Sequence, residues 1–310
     1  MKLHNYPSDF SDLVTIVANQ MHLPEPAVKR DYYIVYMLKH LADSEYADQC
    51  VFKGGTSLSK CYPGSIERFS EDIDLTFLGM DLLPKACDRT IKRIESVMTV
   101  GADTEKIDSE RSNRSKSMWV WFESKENKVK LEIGSSVRPD PFSKRTVKSY
   151  IHEYLEQNGF QDAIAKYELE AVTINVLDIT RTFVDKLMAV KRHAYCGTLK
   201  EKERHIYDVR RLFALPEIQA FLRDEQELKR LMQITKKTDS FYLSRRGISD
   251  QYDPTGPYDF PAWRHFMTNE VRKNYESLHE HLLYTDEKQN FDEALAVFEA
   301  INRILQGIGE

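Results

Sequence analysis

The stretch Asp72-Ile73-Asp74-Leu75-Thr76-Phe77 places the tightest limit on how this chain folds. Ile73, Leu75 and Phe77 alternate with polar residues, the two-residue period of a strand with one face in a core. A strand so apolar on one side is expected at the centre of a sheet, with Asp72 and Asp74 on its other face. Residues i and i+2 of a strand lie roughly 7 Å apart along it. Two carboxylates there repel each other unless a cation lies between them. Magnesium prefers such oxygen ligands and keeps positions open for substrate phosphates. An isolated Asp-x-Asp is usually just the wetted side of a strand, so the rest of the chain has to decide.

The run 128–134 repeats the alternation, with Val129, Leu131 and Ile133 against Lys130 and Glu132. The run 118–122 is apolar throughout and is expected as a central strand buried on both faces. Between these and the first strand, 84–100 reads as a helix, and 167–177 offers one more strand. Upstream, 8–47 is helical with a break at Pro24 and Pro26, and Val28, Tyr32, Val35, Leu38 and Leu41 form one buried stripe. From 180 onward helices dominate. They are interrupted by a loop signalled by Asp250, Asp253, Pro254, Gly256 and Pro257, and the last helix puts Phe291, Leu295, Phe298, Ile301 and Leu305 on one side. The expected organisation is an α/β (α+β) core with a small mixed sheet over 1–178 and a mostly α-helical domain over 179–310, with the site in a cleft between them.

Composition narrows the function classes. At 310 residues, 41% hydrophobic and 30% charged, the chain has the make-up of a globular protein with a real core. No unbroken apolar stretch approaches the roughly 20 residues of a membrane helix. The first ten residues lack a basic leader and an apolar segment, so a cytoplasmic location is expected. Cys50, Cys61, Cys87 and Cys196 are scattered without zinc-site spacing. A net charge of −5 argues against nucleic-acid binding over the whole surface and leaves room for a local basic patch.

Two further features give the acid pair a chemical setting. Lys53-Gly54-Gly55-Thr56-Ser57-Leu58 follows the apolar Val51-Phe52 and leads into a helix. Glycines let the backbone approach a ligand, the amides opening a helix favour an anion such as phosphate, and Thr56 or Ser57 could add a hydroxyl. By itself a Gly-Gly pair is more often a plain turn, and no P-loop run accompanies it. Glu132, on a second strand of matching pattern, is by itself an ordinary surface acid; as a third carboxylate it would complete a two-metal site for phosphoryl chemistry. Phosphate turn, paired acids, then a lone acid is a more specific order than any one part.

The motifs Lys53-Gly54-Gly55-Thr56-Ser57-Leu58 and Arg68-Phe69-Ser70-Glu71-Asp72-Ile73-Asp74-Leu75 resemble the signature of the AbiEii-type nucleotidyltransferase toxins of type IV toxin-antitoxin pairs, within the DNA polymerase β-like superfamily. The resemblance extends to Val28-Lys29-Arg30-Asp31-Tyr32-Tyr33, Asp185-Lys186-Leu187-Met188-Ala189 and Tyr207-Asp208-Val209. It implies that Asp72 and Asp74 bind magnesium and that Ser57 touches a nucleoside triphosphate; taken with the reading of the residues above, Glu132 joins the candidate metal ligands, and Lys53, Gly54, Gly55, Thr56 and Arg68 join Ser57 as candidate nucleotide-binding residues. It also implies that Lys186 neutralises phosphate charge and Asp208 completes the site. The 3′ end of transfer RNA becomes the leading acceptor, and a cognate antitoxin is expected.

Helix arithmetic supports the downstream pair independently. With helices at 180–196 and 202–212 joined at Gly197, Lys186 lies about 15 Å before the turn and Asp208 about 9 Å after it. An antiparallel arrangement brings the two within reach. Alternatively, Lys186 is a solvated lysine and Asp208 a partner of Arg204 or Arg211. From Arg181 to Arg211 there are nine Lys or Arg against four Asp or Glu, a local balance of +5 that suits an RNA backbone and also suits a solvated helical face. Lys144, Arg145, Lys148, Arg245 and Arg246 are candidates to extend the patch. His193 and His205 read as surface or core histidines. Two other functions stay open at this level: transfer to a protein or small molecule, and a catalytically silent module of the same fold that binds RNA or protein.

Overall fold

In the computed structural model, which describes residues 1–243, 252–284 and 286–309, the chain divides into two compact units: Met1–Pro63 with Phe69–Leu177, and Gly64–Arg68 with Asp178–Glu310. Arg245, Arg246 and Asp250 lie outside the described residues.

The first unit opens with α1 (Pro7–Met21) and α2 (Glu25–Ala42), each carrying a proline in its first turn, where the missing N–H costs nothing. The chain then forms β1 (Cys50–Lys53), α3 (Gly54–Cys61), β2 (Asp72–Phe77), α4 (Pro84–Met98), β3 (Asp103–Lys106), β4 (Ser115–Trp121), β5 (Val129–Gly134), β6 (Phe142–Val147), α5 (Tyr150–Gln157), α6 (Gln161–Lys166) and β7 (Val172–Leu177). These strands make one seven-stranded mixed sheet of order β3-β4-β5-β2-β1-β7-β6. The alternating strand β2 is the fourth of seven, antiparallel to β1 and parallel to β5.

The register assigns the faces. Ile73 stands opposite Leu131, Leu75 opposite Ile133, and Met118 opposite Leu131; all five are buried. Lys116, two residues before Met118 and so on the same face, reaches Asp88 of α4 at 2.5 Å, which makes this the helix-covered side. Fully burying a residue such as Ile73 contributes about 2 kcal/mol. The other face carries Asp72 and Asp74, with Lys130 and Glu132 beside them on β5 and Ser117 and Trp119 beyond on β4.

The run at 118–122 departs from expectation. It belongs to β4, second from the sheet edge, and Trp119 and Trp121 are half-exposed while Met118 and Val120 take the core.

The second unit is helical: α7 (Ile179–Tyr195), α8 (Arg204–Phe213), α9 (Pro216–Phe221), α10 (Glu225–Leu243), α11 (Phe260–Trp263), α12 (Asn269–Glu276) and α13 (Phe291–Gly307). Asp178 caps α7 by accepting from the Thr180 N–H at 2.9 Å, and Asn290 caps α13 by accepting from Asp292 at 3.0 Å. Phe291, Leu295, Phe298, Ile301 and Leu305 of α13 are all buried. Among the described residues no helix is long and apolar enough to cross a membrane.

Candidate active site

The first cluster is built where β1 runs straight into α3. Gly54 opens the helix at φ +87°, a left-handed conformation that glycine adopts without steric cost. The Asp74 side chain lies against it: a Cβ on Gly54 would overlap the carboxylate oxygen and stand 3.1 Å from its Cγ. Gly54 is therefore the space that Asp74 occupies at the start of α3. For Gly54→Ala the left-handed backbone alone costs about 1–2 kcal/mol. We expect a urea melt to show at least that loss, together with loss of activity as Asp74 is pushed aside.

The two hydroxyls of the motif are spent inside the fold. Thr56 Oγ1 donates to the Asp72 carbonyl at 2.6 Å and lies 3.0 Å from Ser70 Oγ, tying α3 to the start of β2. Ser57 Oγ donates to the Gly54 carbonyl at 2.9 Å, and both Thr56 and Ser57 are buried. Lys53 stands opposite Asp74 in the β1–β2 register. At the far end of α3, Lys60 pairs with Asp31 of α2 at 2.6 Å; both are buried, and Asp31 also accepts the Tyr150 N–H at 2.7 Å. Burial outweighs these partners and leaves the Asp31 carboxyl above its ordinary range. Arg30 of α2 pairs with Glu71, next to Asp72.

Asp72 and Asp74 share the open face of β2 and are half-exposed. Glu132 stands beside Asp74 in register, but its carboxylate is held by Lys130 at 2.5 Å, and Lys130 also reaches Glu110 at 2.8 Å. Burial works against the Lys130 charge, yet the two acids prevail and hold its pKa above the ordinary lysine value. Among the described residues no three or more His, Cys, Asp or Glu gather as a metal cluster. The pair Asp72 and Asp74 fits a hard divalent cation by donor type, because both offer only carboxylate oxygens. Glu132 is committed to Lys130.

The second cluster belongs to the helical unit. Asp208 of α8 is fully buried and held by two cations: Arg68 grips it through Nε at 2.6 Å and a terminal nitrogen at 2.8 Å, and Lys186 of α7 meets it at 2.7 Å. Burial alone would raise its pKa, but Arg68 and Lys186 overcome that and hold the carboxyl far below the usual range. The guanidinium of Arg68, expected with the nucleotide-binding residues, is thus engaged by Asp208. Lys186 Nζ also lies 3.5 Å from His205 Nδ1, and His205 stacks on His193 with centroids 5.6 Å apart. Desolvation, with Lys186 alongside, drives the His205 pKa well below its ordinary value, and the same burial takes His193 to about 4. Both imidazoles are therefore neutral near pH 7. No motif marked Arg68 as the partner of a residue 140 positions away.

A sequence comparison now bears on this arrangement. The family model for the nucleotidyl transferase AbiEii toxin of type IV toxin-antitoxin systems matches residues 36–297, which contain Gly54, Asp72, Asp74, Lys186 and Asp208. The chain belongs to the AbiEii family. It is accordingly a nucleotidyltransferase of the toxin-antitoxin class, for which a nucleoside triphosphate is the substrate and an antitoxin the implied partner. Among solved structures, the AbiEii-family chain is similar in fold to MenT4, the nucleotidyltransferase toxin Rv2826c of Mycobacterium tuberculosis H37Rv. The TM-score is 0.51 at 16% identity, over 95% of this chain and 98% of that one. JHP933 from Helicobacter pylori aligns at TM-score 0.40 and 18% identity, over 83% of this chain and 95% of that one. Among curated proteins none matches by sequence.

Proposed function

We propose that this AbiEii-family chain transfers a nucleoside monophosphate from a triphosphate to the 3′ end of an RNA, transfer RNA being the leading acceptor, in a magnesium-dependent reaction that blocks translation in the cytoplasm. The observation that carries this reading is the pair Asp72 and Asp74 on the open face of the central strand, with the Asp74 carboxylate packed over Gly54 at the start of α3. Asp72 and Asp74 would hold the magnesium, which when bound supplies charge neutralisation at the triphosphate.

This chain's own residues supply the rest. Backbone amides opening α3, those of Gly54, Gly55 and Thr56, have no carbonyl four residues back within the helix and suit phosphate oxygens. Because the Thr56 and Ser57 hydroxyls donate to chain carbonyls, their part is to fix the turn. Lys53, opposite Asp74, adds positive charge beside it. Lys186, to which the family resemblance gives the neutralisation of phosphate charge, is held by Asp208 together with Arg68 within the helical unit. Glu132 balances Lys130 next to Asp72, which makes it a tuning residue of the acid face.

In the stretch 181–211, Arg181, Lys186, Arg192, Lys200, Arg210 and Arg211 are each paired with an acid, so the RNA acceptor is favoured by the family resemblance and not by this stretch. A catalytically silent module predicts a different metal dependence. With calorimetry on the full chain and a non-hydrolysable triphosphate, magnesium is expected to tighten binding at least tenfold. Equal affinity with magnesium and with chelator would contradict the metal-dependent reading.

A further inference from the structure

We propose that Trp119 and Trp121 form a stacking platform for the unpaired 3′-terminal nucleotides of the acceptor RNA, an inference that rests on the nucleotidyltransferase reading above. In the β2–β5–β4–β3 register, Asp72, Lys130, Trp119 and Glu105 stand in one row across the open face of the sheet. At roughly 4.8 Å per strand, Trp119 is about 10 Å from Asp72. Trp121 follows two residues later on the same face, roughly 7 Å along the strand. That spacing lets neighbouring bases of an extended single strand meet one ring each.

Core-facing positions of β4 are filled by Met118 and Val120, so the indoles are not needed to close the core. Each instead has a lysine over its ring: Lys128 Nζ lies 4.1 Å from the Trp119 ring centre and Lys125 Nζ 5.3 Å from that of Trp121, so a stacking base takes the ring face and displaces the flexible ammonium toward its own phosphates. Half-exposed rings interleaved with ammonium groups match the chemistry of single-stranded nucleic acid, where bases stack on aromatics and phosphates meet cations. The acids next to the rings are Glu105 and Asp103, opposite Trp119 and Trp121 in the register. Glu105 pairs with Lys125 in an exposed ion pair that contributes little and can open when a phosphate arrives. A duplex hides its base faces and gains nothing from the rings. A protein docking on the same face is the competing occupant.

The chain has a built-in reporter. Its third tryptophan, Trp263, is fully buried, so fluorescence changes caused by a surface ligand report on Trp119 and Trp121. The full chain is titrated, without triphosphate, with a single-stranded oligoribonucleotide and with the same strand in a blunt duplex. Saturable quenching by the single strand and none by the duplex is expected. Trp119→Ala and Trp121→Ala should each weaken binding by about 5- to 150-fold, the range for one lost base stack. They should raise KM for the acceptor and not KM for the triphosphate, and Trp119→Phe, which keeps a ring, should restore most of the affinity. Equal quenching by duplex, or alanine variants that bind the single strand and use acceptor like wild type, would overturn the platform. If wild-type protein transfers nucleotide and the alanine variants keep its acceptor KM, the platform alone falls. If the single strand quenches as expected but no RNA ever receives nucleotide, the transfer reading falls and the platform stands.

Discussion

Asp72→Ala is expected to abolish nucleotidyl transfer, with a loss on the order of a thousandfold or more, because removing one of two carboxylates that hold the metal forfeits several kcal/mol of charge stabilisation. Asp72 sits on the open face of β2 while Ile73 and Leu75 carry the core, so the change removes no core atom. Unfolding should remain cooperative, with a stability change well below that of a core truncation. Asp74→Asn separates the role further, since it keeps the shape that fits against Gly54 and loses the charge. Transfer kinetics and a urea melt on the same preparations check both parts. An active, folded Asp72→Ala protein would remove Asp72 from the site.

Asp208→Ala should produce the largest stability loss of any single change considered, about 3–5 kcal/mol, because it leaves the Arg68 and Lys186 charges buried without their shared partner. Arg68→Met should cost less, since Lys186 still neutralises Asp208. The same carboxylate sets a pH dependence. Its folded pKa is depressed below the unfolded value, so its contribution is complete above the ordinary carboxyl range near pH 4 and is lost as pH falls through that range toward the folded pKa. Wild-type stability should therefore decline on acidification below about pH 4, and the curve for Asp208→Ala should be flatter there. Denaturant midpoints across pH 3 to 7 measure the difference; parallel curves would show that the buried triad does not behave as a charged unit.

What the sequence made legible follows from how strongly each feature is tied to a period. The strands at 72–77 and 128–134 and the paired acids were readable because alternation leaves one interpretation of the faces. The meeting of Lys186 and Asp208 was readable because helix rise fixes where two residues fall on either side of a turn. The run 118–122 misled because tryptophan on a wet face and tryptophan in a core look alike in an unbroken apolar stretch. β3, with all four residues exposed, and β6, polar over most of its length, went unread. They are the two sheet edges, held by ladder hydrogen bonds that leave no hydrophobic trace. Neither Arg68 on Asp208 nor Lys130 on Glu132 could be read as a pair in advance. The first joins residues far apart in sequence, and in the second an adjacent same-face lysine takes the acid that the motif order had offered to a metal.

The most direct test of the account is a transfer assay with the full chain, each α-labelled triphosphate in turn, and total cellular RNA in the presence of cell lysate proteins. It predicts label at the 3′ end of an RNA with magnesium and wild-type protein, and none with chelator or with Asp72→Ala. Label on a protein band instead, or transfer that persists in chelator, would contradict it.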